Sequence, residues 1–441
     1  MKLPGATDLR AAMDEGTAAV VDAVLEASDR LELAVYAVGG PVRDLLLGQP
    51  LRDMDLLVEG NARELLGSAS LQEARVTRHD RFGTIHLKQG GAELDIAATR
   101  RESYPHSGSL PRVEPGSLEE DLHRRDFSVN ALALPLSKIA RKKYRQIVDL
   151  HDGLQDLENR QLRVLHTRSF HDDPTRALRA ARLSPRLGLA LTRGSRAALR
   201  DALRDGAFGH VSGDRLRREL VKLCEDATLG LDPARGLKLL STWHVLGALE
   251  PGLESSPSAI VPLRRLGRSI ADPPWSSSRW RPWVSALSVW LAPLSPALRR
   301  RTLRRFSVRG DLAARISRFP RSRDACLAAL LRARGRGPID ALLAPLSEEE
   351  LHALYASAEA KARRRILRFA SEDRGRRLPL TGDDLIDIGL RGPAVGRALM
   401  RIRTAYLDGA VSNRVEAIAL ARELASRRSH ARTKLTAKSS R

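Results

Sequence analysis

The hydrophobic pattern changes character once, near residue 160, and that change limits the folds open to this chain. Before it, β-type runs at Ala34–Val38, Asp55–Val58, Thr84–Leu87 and Glu93–Ala97 are separated by Gly-rich turns and helical stretches. After it the strand signal stops, and Leu, Ala and Arg recur at helical spacing almost to the end, as in Arg215–Leu223 and Leu327–Leu331. The pattern predicts an α+β fold in which a mixed helix-and-strand N-terminal part precedes an all-helical remainder. A chain of 441 residues exceeds what one core organises, so two or more domains are expected. Pro, Ser and Trp crowd Leu253–Trp283, and Arg374–Leu380 is similarly broken; both read as irregular connections and soft boundaries. The basic run from residue 429 to 441 has too little to bury and reads as a disordered tail that could touch RNA.

Charge narrows the partners. Seventy-five Lys and Arg against 53 Asp and Glu give a net charge of +22, which favours a polyanion such as RNA, DNA, nucleotides or an acidic membrane, although a general Arg bias would give the same sum. Two cysteines, Cys224 and Cys326, are too few for a disulfide framework or a Cys-built zinc site, and they fit a reducing cytoplasm. The N-terminus lacks an apolar export region and no apolar run approaches ~18 residues, so neither export nor a membrane span is expected.

Two constellations carry chemistry. In the first, Val35 to Gly48 reads as strand, Gly39-Gly40 turn and short helix, where bare backbone can approach a phosphate and Arg43 adds positive charge. The turn matches neither the Walker nor the dinucleotide glycine pattern, and by itself such a turn serves structure as readily as ligand binding. Asp53 and Asp55 follow, two apart on a strand and therefore on one face, with Met54 turned to the core. Paired carboxylates repel unless a cation lies between them, and Mg2+ suits oxygen ligands beside phosphate; the alternative is a solvated pair of strand-end acids. Asp95, on a third strand, either joins that face or is an ordinary strand carboxylate.

In the second constellation, Asp173, Arg176, Arg179 and Arg182 recur every three residues along a helix opened by Asp172, Asp173 and Pro174. A carboxylate accepts from the exocyclic amino group of C or A, while a guanidinium donates to the adjacent ring acceptors. Asp and Arg together can thus imitate a pairing partner for C and A and refuse U and G; a solvated charged face is the alternative. Between the two constellations, Arg124, Arg125, Asp126 and Asn130 offer either nucleotide contacts or a buried ion pair.

Together GGPVRDLLLG, DMD, LDIAATRRESY, EEDLHRRDFSVNALAL, VDLHDGLQDLENRQLRVL, DDPTRALRAARL and HVSGDRLRREL resemble the class II tRNA nucleotidyltransferases, the CCA-adding enzymes, and the related bacterial poly(A) polymerases. The resemblance covers roughly residues 34–225, and LTGDDLIDIGLRGPAVGRAL at 380–399 extends it. It implies a polymerase-beta-like nucleotidyltransferase head with a mixed sheet (1–158), a helical neck reading the base (159–226), a helical body (227–375), an RNA-binding tail (376–428) and the basic end (429–441). Asp53 and Asp55 would be catalytic and hold Mg2+; Gly39, Gly40, Arg43 and Arg125 would meet the nucleotide. Asp173 and Arg176 would read the base, supported by Arg179 and Arg182. The implied reaction is template-independent addition of C and A to the 3′ end of tRNA from CTP and ATP, with no obligate protein partner. The motifs leave open CC-only, A-only or poly(A) addition, and a non-catalytic RNA-binding protein is the reading from another class. Two positions depart from the family: Asp172 and Asp214 stand where Glu is usual, both keeping the charge.

Two His-Asp dipeptides, at 151–152 and 171–172, lack the further ligands of a phosphohydrolase metal site. The cluster Trp275, Trp280, Trp283 and Trp290 could stack bases but suits packing of a helical junction better. Gly392–Gly396 could offer helix N-terminal amides to phosphate or be a plain turn, and the basic helix around Lys361–Arg365 could support it.

Overall fold

Val35, Tyr36 and Ala37 are wholly buried on both faces of the strand Ala34–Val38 (β1), which explains why this run is apolar without alternation. The computed structural model describes residues 3–67, 71, 75–79, 84–270, 272, 274, 275 and 280–438. Packing divides the chain into two units, Met1–Glu219 with Arg235–Pro251, and Leu220–Ala234 with Gly252–Arg441.

In the first unit the remaining strands are β2 (Met54–Glu59), β3 (Arg75–His79), β4 (Thr84–Gln89), β5 (Ala92–Ala98), β6 (Arg100–Ser103), β7 (Arg112–Pro115), β8 (Leu132–Pro135) and β9 (Val148–Asp149). Seven of them form one sheet in the order β3-β4-β5-β2-β1-β8-β9, and β6 and β7 pair separately. Only β2 and β5 run parallel in the large sheet, so it is mixed as expected. The four strands legible in the sequence are β1, β2, β4 and β5.

The helices, in chain order, are α1 (Ala6–Ala11), α2 (Glu15–Arg30), α3 (Gly40–Leu46), α4 (Leu118–His123), α5 (Lys138–Lys143), α6 (Gly153–Glu158), α7 (Ser169–Asp172), α8 (Thr175–Leu187), α9 (Arg193–Arg204), α10 (Gly213–Glu225) and α11 (Pro233–Thr242). Local chemistry sets the ends that matter. Ser117 and Glu120 cap α4 reciprocally, with Ser117 Oγ accepting from Glu120 N at 3.3 Å and Glu120 Oε2 from Ser117 N at 2.9 Å. Gly188, at φ 66°, closes α8. One small departure from the all-helical remainder is the parallel pair Gln161–Leu162 (β10) and Ala190–Leu191 (β11).

The second unit is helical, with one apolar core that includes Trp275, Leu330, Leu343, Leu351 and Ile366, and another around Leu385, Leu390, Ile402 and Ala417. Trp275 and Trp290 are 1% and 2% exposed, so they pack. The stretch Leu253–Trp283, read as irregular, contains the helix Pro257–Ser269. Proline there starts the helix: Pro257 sits in the first turn, where its missing N–H costs nothing, and Ser256 caps it. The last helix runs Arg414–Lys438, through most of the run read as disordered, while residues 439–441 lie outside the described residues. Among the described residues no helix is long and apolar enough to cross a membrane.

Candidate functional site

The Gly39-Gly40 turn joins the end of β1 to α3. Gly39 adopts φ 70° and ψ −116°, outside the range of ordinary side chains, and a Cβ there would lie 3.0 Å from Arg125 Nη1. The glycine therefore allows the close approach of Arg125, which sequence spacing could not reveal. Arg43, expected to face phosphate, is instead 4% exposed. Its Nε donates to Asp44 Oδ1 at 2.8 Å and its Nη1 to Asn130 Oδ1 at 2.5 Å, while Asp44 is also 3.7 Å from Arg186 of α8. The side chain ties the turn to the segment after α4.

Asp53 is exposed just before β2, and Asp55 is half-buried on it. Met54 is buried, as the alternation predicts. The parallel register sets Asp55 directly beside Asp95 of β5, so these carboxylates share one sheet face. Asp95 also meets His86 Nδ1 at 2.8 Å. Among the described residues no three His, Cys, Asp or Glu side chains converge in the manner of a self-sufficient metal site. A hard, hydrated divalent cation takes one or two protein carboxylates and completes its shell with water and phosphate oxygens.

Behind the turn, Asp121 is 0% exposed and holds two guanidinium groups. Its Oδ1 accepts from Arg124 Nε (2.9 Å) and Nη2 (2.6 Å), and its Oδ2 from Arg125 Nε (3.2 Å) and Nη2 (2.9 Å). Arg124 Nη1 donates onward to Glu102 Oε1 at 3.0 Å, and Tyr104 donates to Glu102 Oε2 at 2.9 Å. Asp126 Oδ1 accepts from Asn130 Nδ2 at 3.0 Å, and its Oδ2 lies 3.2 Å from Arg179 Nε.

Asp173 precedes α8 with 7% exposure. Its Oδ1 accepts from Thr175 N (3.0 Å), Thr175 Oγ1 (2.6 Å) and Arg215 Nη2 (2.7 Å), whereas Oδ2 accepts only from Arg179 Nη2 (3.1 Å) among the hydrogen bonds of the described residues. Burial alone would raise its pKa, but Arg179 and Arg215 outweigh that and hold it below the usual carboxylate range. The same balance lowers Asp126, where Arg179 and the Asn130 amide overcome burial. Arg176, 3% exposed, donates to Ser169 Oγ and to the Arg124 carbonyl (2.9 Å), both neutral acceptors, and its Nε is buried with no hydrogen-bond partner among the described residues. Arg182, the last of the expected arginines, lies one turn further along α8, half-buried.

These groups line one cavity of about 410 Å3, whose wall includes Tyr104, Arg124, Arg125, Asp126, Asp173, Arg176, Arg179 and Arg215. Of the expected site residues, Arg125, Asp173, Arg176 and Arg179 meet there; Gly39 touches it through Arg125. Sequence reading missed Asp121, Glu102, Tyr104 and Arg215. Arg215 lay next to a residue singled out, Asp214, which itself is exposed and pairs with Arg217 at 2.7 Å. His171 turns to Asp205 (2.9 Å) rather than to any second histidine.

Residues 35–163 match the poly(A) polymerase head domain. The A-adding tRNA nucleotidyltransferase of Halalkalibacterium halodurans is 31% identical over 90% of this chain and 90% of its own. The A-adding tRNA nucleotidyltransferase of Geobacter sulfurreducens is 31% identical over 93% of this chain, which spans about half, 47%, of that relative's length. Among solved structures, the Thermotoga maritima CCA-adding enzyme complexed with tRNA superposes with a TM-score of 0.70 at 27% identity, covering 97% of this chain and all of that one.

Proposed function

This chain belongs to the tRNA nucleotidyltransferase family, and from that membership we propose that it adds C and A to the 3′ end of tRNA, using CTP and ATP. Supporting the proposal is one cavity shared by Arg125, which touches the glycine turn, and by Asp173 and Arg176, whose chemistry matches C and A.

In this reading residues 1–158 carry the transfer chemistry, 159–226 read the base, and 227–375 with 376–428 hold RNA, the basic end beyond adding contacts. The terminal ribose hydroxyl attacks the α-phosphate, forming the new P–O bond as the bond to the departing pyrophosphate breaks. The hydroxyl proton leaves to solvent. Asp53 and Asp55 would hold Mg2+, which when bound would supply charge to offset that of the phosphates. Gly39 and Gly40 bring bare backbone to the triphosphate, Arg43 fixes the turn, and Arg125 donates to phosphate or ribose. Asp173 has lone-pair capacity left at Oδ2 for an exocyclic N–H. Arg176, bound only to neutral acceptors, would exchange those hydrogen bonds for the ring acceptors of the base. Arg179 and Arg182 keep that edge positively charged. The work is positioning and electrostatics.

A second reading, addition of the terminal A alone, is favoured by the names of the two A-adding relatives. Purified protein, magnesium and a tRNA transcript ending before CCA, given CTP and ATP separately and together and read at single-nucleotide resolution, separates these. Three additions and a halt establish CCA addition. Extension only of a transcript already ending in CC selects the second reading, halting at CC or running into long A tails replaces both, and no incorporation leaves a binding protein.

A further inference from the structure

The first unit has a second cleft, of about 560 Å3, that shares no residue with the nucleotide cavity. Its floor is apolar, formed by Pro185 at the end of α8, Leu189, Leu191, and Leu239 and Trp243 at the end of α11. Around it stand three exposed cations, Arg196 of α9 and Arg235 and Lys238 of α11. None of the three has a side-chain hydrogen bond or ion pair among the described residues. The positive surface continues along α9, where exposed Arg193, Arg196 and Arg200 fall at spacings of three and four on one face. Unopposed like charges on one face are unfavourable in the free protein and become favourable against a polyanion. An apolar floor with an aromatic ring beneath a cationic rim is the chemistry that takes an unpaired nucleotide, base inward and phosphate outward.

We propose that this cleft binds one unpaired nucleotide of the RNA substrate, its base against Trp243 and its flanking phosphates on Arg196, Arg235 and Lys238. Helix α8 supplies the link. Arg176 faces the first cavity and Pro185 the second, nine residues or about 14 Å apart along the axis. At about 100° per residue, nine residues also set the two openings on opposite sides of α8, so an RNA that reaches both passes around this helix. The inference rests on the reading that the substrate is RNA.

The test measures binding of a fluorescently labelled tRNA transcript lacking CCA, across a salt series, to the full chain and to three variants. Arg235→Gln/Lys238→Gln, changed only at exposed positions, is expected to lower the slope of log affinity against log salt by about 2. Trp243→Ala is expected to weaken binding about tenfold and Trp243→Phe to restore most of it. The KM for CTP and ATP stays unchanged in all three. Affinity and salt slope equal to those of the unaltered chain in the double variant overturn the inference while leaving the nucleotidyl-transfer reading intact. Weakened nucleotide binding with tRNA binding unchanged assigns the cleft to free nucleotide and overturns it too. Failure of the unaltered chain to bind tRNA at all overturns both.

Discussion

Asp121 is the residue on which two of the cavity's arginines, Arg124 and Arg125, depend, and replacing it with Asn tests that dependence. The carboxylate receives four hydrogen bonds from two guanidinium groups, and the side chains of Arg124 and Arg125 are each only 17% exposed. An amide keeps one acceptor but turns N–H donors towards the other arginine, leaving a cation facing donors in a poorly solvated site. Removing one partner of a buried ion pair costs about 3–5 kcal/mol. Arg124 keeps Glu102, and Arg125 keeps a long contact to the Asn130 carbonyl, so the lower end, about 3 kcal/mol, applies. At 1.36 kcal/mol per factor of ten, amide hydrogen exchange in α4 and residues 128–130 should accelerate roughly 150-fold where opening limits it. Arg125 should lose its aim as well, raising the KM for CTP and ATP. Exchange within about threefold of the unaltered protein, with nucleotide KM unchanged, refutes the claim that Asp121 organises this wall.

Other perturbations reach different parts of the same site. Gly39→Ala forces a side chain into positive φ and against Arg125, so thermal denaturation should show a loss of about 1–3 kcal/mol and nucleotide binding should weaken; an unchanged melting temperature counts against the close approach. Asp53→Asn should lower kcat by at least about a hundredfold while equilibrium binding of CTP changes little, and a chelator should abolish activity in the unaltered protein; turnover surviving both removes Asp53 from the proposed metal role. Asp126 and Asp173 have depressed folded pKa values, so their stabilisation is complete above the unfolded value of about 3.9 and is lost as pH falls through the folded values. Their contribution to melting should therefore be flat from pH 7 to about 5 and disappear only in stronger acid; a loss centred near pH 6 points to other groups.

Much of this site was legible because its parts are local in sequence. The Gly-Gly turn is a contiguous pair at a strand end, and Arg176, Arg179 and Arg182 recur every three residues on α8; of the two carboxylates read as a strand pair, only Asp55 lies on β2, Asp53 standing just before it. Asp121, Glu102, Tyr104 and Arg215 obey no such spacing relative to their partners: Arg215 meets Asp173 from 42 residues away and Arg124 meets Glu102 from 22. Such contacts come from how the elements pack, which a single chain does not display. Strand β8 was missed for another reason: Leu132–Pro135 is only four residues within a continuous apolar run, and a fully buried run that short has no period to tell strand from helix, whereas β1 is marked by the Gly-Gly turn at its end. Arg43 was legible as a charge near the turn, but only the structure shows that Asp44 and Asn130 occupy it.

The chemistry proposed for the base helix demands a carboxylate that stays ionised. A carboxylate is an acceptor only and suits the amino groups of C and A, whereas a protonated acid gains a donor and welcomes the carbonyl oxygens of U and G. In a dry site burial pushes towards the protonated form, so the discrimination needs cations close enough to reverse that push. Arg179 and Arg215 do so here from opposite oxygens, at 3.1 and 2.7 Å, and Arg179 is itself held charged against burial by Asp126, Asp173 and Glu219. In the proposed base-reading role, Arg215 would act through Asp173 by keeping it an acceptor. On that proposal the buried ion network around α8 is a condition of selectivity, because each carboxylate–guanidinium contact fixes which partner can donate and which can only accept.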